Sequence, residues 1–283
     1  MFNFKNTRLA FDLVTISHTV FVLPLIFSGY LFISKEFVFI DLLLITVASF
    51  GARNIAFIFN RYTDREIDKK NPRTLSRPIP SGKTSNKFLI SFLILSFLIF
   101  IIPSLILCKS TLYLIPIPII LFYIYPFLKR FTYLCHHFLG LVLSLSPLAG
   151  FYVYNCSTLN ILDMLPLSLF TFFWISGFDI LYALQDYESD IKNKIFSIPS
   201  YFGKKTAILI SFISFIFAVF LLSHYQTIIF DRSIFGKSII LFILVNFILQ
   251  IYFSNKGNFD FFKYNSYIGF LILLLTISDI FNI

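Results

Sequence analysis

Charge is what this sequence has least of. Only 13% of its 283 residues are Asp, Glu, Lys or Arg, while 58% are hydrophobic, and the mean hydropathy is +0.85. An ordinary soluble domain carries about 25% charged residues. The shortage excludes a water-soluble globule and predicts an all-α, polytopic membrane protein. Cysteine is also scarce. Cys108, Cys135 and Cys156 are three in number and show no C-x-x-C spacing. That pattern indicates neither a disulfide framework nor a thiolate metal site. No cleavable signal is evident, because the first apolar run is long enough to remain as a span. Acids are rarer than bases, 14 against 23.

What is present is long apolar runs. They leave room for roughly nine spans at about 20 residues each. The expected helices are 10–34, 37–62, 86–108, 111–128, 133–154, 163–186, 205–223, 236–254 and 264–282, forming a single domain over 1–283 around a central cavity. The 40 Phe fit lipid-facing and helix-packing positions. With the N-terminus inside, the inner segments carry 18 Lys/Arg and the outer ones 4, with Arg53 within a helix. Such a split predicts a cytoplasmic N-terminus in an inner-membrane protein. It also accounts for most of the net charge of +9, so no nucleic-acid partner is implied.

Half of the acids stand in two places. Asp64, Glu66 and Asp68 occupy one stretch, and Asp179, Asp186, Glu188 and Asp190 the other. Asn60, Asp64 and Asp68 recur every four residues, which puts them on one helical face. Asp179, Tyr182, Asp186 and Asp190 recur at helical spacing as well. Each stretch leads into a loop with Pro, Gly and basic residues, a weak internal repeat. After Asp68 the loop holds Arg73 and Arg77, and its prolines and glycine prevent a continuous helix. It is expected to form a structured cap aimed at whatever the carboxylates bind.

Mg²⁺ takes oxygen ligands, usually one or two carboxylates plus substrate phosphates. Asp64 with Asp68 offers one half-site, Asp186 with Asp190 the other, and Asn60 a neutral oxygen. Arg73, Arg77, Lys129 and Arg130 would neutralise a bound diphosphate. Arg53 lies two turns before Asn60, deep enough to need a polar cavity or a partner. His18 and Pro24 are oddities of the first helix. The adjacent His136 and His137 point to different helix faces, which argues against a joint metal site. His224, Asn246, Gln250 and Asp279 read as hydrogen-bonding groups without chemistry. The bland alternative is that the acids pair with neighbouring Lys/Arg at i, i+4.

At these residues the sequence resembles the UbiA-type intramembrane prenyltransferases, in particular the 4-hydroxybenzoate-like branch. The carriers are Asn60-Arg61-Tyr62-Thr63-Asp64-Arg65-Glu66-Ile67-Asp68, then Asn71-Pro72-Arg73-Thr74 and Arg77-Pro78-Ile79-Pro80-Ser81-Gly82. The second motif runs from Asp179 through Tyr182 and Asp186 to Asp190, and Tyr125-Pro126 with Lys129-Arg130 adds to the match. Position 61 is Arg where some members have Asp. The resemblance implies nine helices around a cavity open to membrane lipid. It also implies Mg²⁺-dependent transfer of a polyprenyl group from its diphosphate to an aromatic acid in quinone synthesis. Asn60, Asp64, Asp68, Asp186 and Asp190 would serve the metal and the diphosphate. Arg53, Tyr125 and Lys129 would lie near the acceptor or the leaving diphosphate, with Tyr182 beside them and Asp179 as a candidate base. A naphthoate-type acceptor for menaquinone is the second reading of the substrate. A cation or proton-coupled transporter is the rival class, but the acids cluster at one membrane face rather than near the midplane. A phospholipid head-group transferase would need a D-G-x-x-A-R element that the sequence lacks.

Overall fold

The computed structural model describes residues 22–157, 160–229, 234–254 and 261–281. Nine helices of twelve residues or more stand in this region: α1 Leu23–Ser34, α2 Phe39–Thr63, α3 Asn86–Leu107, α4 Pro116–Leu128, α5 Cys135–Asn155, α6 Leu165–Ala183, α7 Lys204–Ile229, α8 Ile234–Phe253 and α9 Phe261–Phe281. Eight segments are long and apolar enough to cross a membrane, and α1 is shorter as described. The first twelve residues of the expected helix 10–34, His18 among them, lie outside the described residues. Pro24 sits in the first turn of α1 as described.

Local chemistry sets the ends. Pro116 and Pro166 occupy the first turns of α4 and α6, where a missing N–H costs nothing. The expected span 111–128 therefore divides into a 3₁₀ turn, Lys109–Tyr113, and α4. Ser85 caps α3 by accepting from Phe88 N at 3.2 Å. The expected stop of the seventh helix at 223 is too early. Tyr225 lies two residues further on, fully buried with its hydroxyl 3.2 Å from Thr276 Oγ1, so packing carries α7 to Ile229.

In lipid, apolar burial does not drive helices together, so small residues and polar contacts do. Gly29 of α1 and Gly150 of α5 meet each other's helix reciprocally. A Cβ on Gly29 would strike the Pro147 carbonyl, and one on Gly150 the Ile26 carbonyl. Gly51 does the same against α3, and Gly177 against Ser211 and Phe215 of α7. The neighbour order follows: α6 packs on α5 and α7, α5 on α1, α9 closes back on α1, and α2 holds α3 and α4. On α3, Ile90, Ile94, Leu98, Ile102 and Ile106 form an exposed apolar stripe at four-residue spacing, a lipid-facing side. Trp174, Phe170 and Phe247 lie fully buried in the main core.

One feature departs from expectation. Cys108 and Cys156 form a disulfide, with Cα atoms 5.6 Å apart across 48 residues. No spacing rule signals so distant a pair, and the odd count arises because Cys135 is free and buried. Between α1–α5 lies an apolar cavity of about 360 Å³, lined by residues such as Ala52, Phe122, Val142 and Thr111.

Candidate functional site

The C-terminal ends of α2, α4 and α6 and the segments that follow them come together at one end of the bundle. Helix α2 stops at Thr63, and Asp64 is its C-cap. A four-residue helix, Arg65–Asp68, continues the register, with Asp64 N bonding Asn60 O at 2.9 Å and Asp68 N bonding Asp64 O at 2.8 Å. Asn60, Asp64 and Asp68 thus keep one-turn spacing. Helix α6 behaves differently. It passes through a 3₁₀ turn, Leu184–Asp186, into a short helix, Tyr187–Lys192. The tighter turn shifts the phase of the second row after Tyr182.

The expected cap after Asp68 is present as successive turns. Thr74, 2% exposed, ties its hydroxyl to Asp68 O at 3.0 Å, and Gly82 takes φ 71°, a left-handed value that favours glycine. From this cap Arg73 reaches the second row. Its Nε donates to Asp186 Oδ1 at 2.9 Å, a second guanidinium nitrogen donates to Asp186 Oδ2, and NH1 donates to the Tyr182 hydroxyl at 2.9 Å. Asn71 adds Nδ2 to Asp186 Oδ1 at 2.8 Å. Arg77 NH1 donates to Asp68 Oδ2 at 3.0 Å. From the end of α4, Lys129 pairs with Asp64, and Arg130 donates to Thr63 O at 2.6 Å.

Asp64, Asp68 and Asp186 are therefore paired with cations, but not with helical neighbours, whereas Glu66 pairs with Lys69 at i, i+3. Arg73 and Asp186 lie 113 residues apart, and Lys129 and Asp64 lie 65 apart. The cations were expected to point at a substrate; Arg73, Arg77 and Lys129 are paired with the carboxylates. Removing one partner from a buried pair leaves a charge without compensation, at about 3–5 kcal/mol. Asp64 is 5% exposed. Burial pushes its carboxyl above the usual carboxylate range, against the opposite pull of Lys129. Its Oδ1 is buried with no hydrogen-bond partner.

Deeper in the bundle, Arg53 stacks its guanidinium 4.6 Å from the Phe57 ring, and its Nε is buried without a partner. Tyr125 lies within electrostatic reach of Arg53, Asp64 and Asp179. The apolar cavity is lined on these two helices by Ala52, the residue before Arg53, and by Phe122, three residues before Tyr125. Asp190 accepts from Ser197 Oγ at 3.0 Å. Asp179 is bonded through Oδ2 to His136 Nδ1 at 2.7 Å.

Sequence reading missed His136 as Asp179's partner, Asn71 as a ligand of Asp186 and Ser197 as a ligand of Asp190. Asn71 lies inside the quoted motif run, a signal that was present without an assigned role. Nothing local marks the other two.

The donor set suits Mg²⁺. Among the described residues no three acids, histidines or cysteines stand close enough to cage an ion unaided. Mg²⁺ does not require such a cage when substrate phosphates complete its shell. The orphaned Asp64 Oδ1, with Asn60, Asp68, Asp186 and Asp190, would supply the hard oxygens.

A family model described as the UbiA prenyltransferase family matches residues 21–275. The chain is 30% identical over 253 residues to a protein of Vesicomyosocius okutanii subsp. Calyptogena okutanii named 4-hydroxybenzoate octaprenyltransferase, covering 86% of this chain and 90% of the relative. A protein of the same name from Blochmanniella pennsylvanica is 33% identical over 233 residues, covering 78% and 77%. The solved apo structure of a UbiA homolog from Aeropyrum pernix K1 superposes with a TM-score of 0.81 at 25% identity, over 93% of this chain and 98% of that one. A UbiA homolog from Archaeoglobus fulgidus, solved with GPP and Mg²⁺, shares the fold at a TM-score of 0.73 and 17% identity, over 96% and 99%.

Proposed function

This chain belongs to the UbiA prenyltransferase family, and we propose that it transfers a polyprenyl group from its diphosphate to 4-hydroxybenzoate, with Mg²⁺, in quinone synthesis. The chain is an integral membrane polyprenyltransferase, not a transporter. The observation that carries the finer reading is the grip of Arg73 and Asn71 on Asp186. It draws the first motif's loop onto the second motif.

Asn60, Asp64, Asp68, Asp186 and Asp190 would hold the metal. When bound, Mg²⁺ supplies charge stabilisation on the departing diphosphate oxygens. The rest is the work of this chain's residues. Arg73, Arg77 and Lys129 exchange their carboxylate partners for phosphate oxygens, so the charge they neutralise stays constant as substrate enters. Arg130, held on the Thr63 carbonyl, keeps the end of α4 at the mouth. The apolar cavity takes isoprene units of the tail and keeps water from the allylic carbon as its C–O bond loosens. Arg53 and Tyr125 orient the acceptor's carboxylate and ring. The ring carbon forms the new C–C bond and gives its proton to the Asp179 carboxylate or to the released diphosphate. The 18-to-4 split of basic residues supports a cytoplasmic position for this mouth, in an inner-membrane protein.

The test is direct. Membranes containing the protein are incubated with labelled polyprenyl diphosphate and either 4-hydroxybenzoate or a hydroxynaphthoate, with and without EDTA. An organic-soluble adduct with 4-hydroxybenzoate that EDTA suppresses supports the reading. Adduct with the naphthoate alone moves the protein to menaquinone synthesis, and EDTA-resistant transfer removes the metal.

A further inference from the structure

The His136 side chain is 4% exposed and uses both ring nitrogens. The Ile198 backbone N–H donates to Nε2 at 3.3 Å. A backbone N–H has no acceptor capacity, so Nε2 carries the lone pair and the ring proton of the neutral imidazole is on Nδ1. That proton is donated to Asp179 Oδ2, 2.7 Å away. One ring thus binds an acid on α6 with one edge and the loop before α7 with the other.

The loop end is itself built. Ser197 and Ser200 form a reciprocal capping box at the start of the helix Ile198–Phe202. Ser197, 3% exposed, donates its hydroxyl to Asp190 Oδ2 at 3.0 Å. Phe196 N bonds Lys129 O at 2.8 Å, and Tyr133 stacks on Tyr201 with ring centroids 5.0 Å apart. His136, reaching across from α5, touches both Asp179 of α6 and the backbone of the loop.

We propose that His136 is a positioning residue that sets the two acids of the second motif by separate edges: Nδ1–H fixes the Asp179 carboxylate, and Nε2 docks the loop whose Ser197 fixes Asp190. This deepens the reading above and rests on it. The ring touches no reacting atom. Its two edges serve two different parts of the reaction, the ring-proton acceptor and the diphosphate end.

Asn and Gln separate the edges. An Asn amide nitrogen overlays Nδ1, so His136→Asn keeps the bond to Asp179 and loses the acceptor for Ile198 N–H. A Gln side-chain oxygen overlays Nε2, so His136→Gln keeps the loop and loses Asp179. The readouts are the KM for polyprenyl diphosphate, kcat, and the rate of trypsin cleavage after the exposed Lys192 and Lys194 in purified protein, which needs no substrate or metal.

Expected for His136→Asn is a roughly tenfold rise in diphosphate KM and in cleavage rate, with kcat within about threefold of wild type. Expected for His136→Gln is the converse: protected cleavage sites, unchanged KM and a kcat at least tenfold lower. Ser197→Ala, which leaves the ring in place, is expected to raise the diphosphate KM and spare kcat. It decides the loop arm by itself where a His136 variant does not insert. The proposal is overturned by Asn and Gln variants that behave alike, whether both match wild type or both lose kcat and KM together, or by a Ser197→Ala enzyme with normal diphosphate KM. A wild type without transfer activity sinks the functional reading instead, and the trypsin arm still judges the docking.

Discussion

Two buried polar regions in this apolar chain invite comparison. Between α6, α8 and α9, Trp174 Nε1 donates to Asn265 Oδ1 at 2.6 Å, Asn265 Nδ2 donates to Gln250 Oε1 at 3.0 Å, and Gln250 Nε2 donates to Asn246 Oδ1 at 2.7 Å. Asn246 Nδ2 completes the chain on the Tyr264 carbonyl at 3.0 Å. All these groups are neutral, and each has a partner. At the acidic helix ends the groups are charged, and Asp64 Oδ1 and Arg53 Nε are buried without partners. A satisfied neutral network fastens helices together. An unsatisfied charged one holds back capacity for a ligand.

The comparison makes graded predictions. The largest effect belongs to Asp64→Asn and Asp186→Asn, near-isosteric changes that remove a charge and little else. Each is expected to lower kcat by about 10²–10³, the scale for losing one preorganised electrostatic contact, with the protein still inserted. Near wild-type turnover of both variants in Mg²⁺-supplied membranes would remove the acids from the chemistry. Next is Asn265→Leu, which removes the Asn265 partner of Trp174 Nε1 and of Gln250 Oε1. It is expected to destabilise the fold by about 1–3 kcal/mol, read as an earlier thermal unfolding in detergent, while transfer per folded molecule stays within about twofold. A large kcat loss there would erase the contrast between the two regions. Arg53→Ala is expected to raise the acceptor KM about tenfold, near 1.4 kcal/mol, and leave the diphosphate KM alone; an unchanged acceptor KM would move the acceptor elsewhere. The smallest effect is that of Trp174→Phe, which drops one interhelical hydrogen bond worth about 0.6 kcal/mol. Its unfolding midpoint is expected to move less than that of Asn265→Leu, and the reverse order would mean ring packing outweighs the polar links.

Much of the site was readable residue by residue. Asp64, Asp68, Asp186, Arg73, Arg77, Lys129 and Tyr182 are gathered at one end of the bundle, as their motifs and spacing foretold. Asp190 and Asp179 sit in the same quarter, each already held by a group the sequence did not single out. The pairing itself was not readable. Helical periodicity says which residues share a face of one helix, and it carries no information on what another helix places opposite. The i, i+4 alternative failed for that reason, and so did the reading of the cysteines.

Composition and pattern alone determined that the chain lives in a membrane, how many apolar helices it forms, and which few residues carry charge where charge is costly. Those are local properties, set by residue chemistry and a 3.6-residue period. Tertiary structure alone decided that Arg73 meets Asp186 across 113 residues, that His136 joins Asp179 to Ile198, and that Cys108 finds Cys156. Those contacts depend on close approaches such as that of Gly29 and Gly150, which fix how far one helix slides and turns against the next.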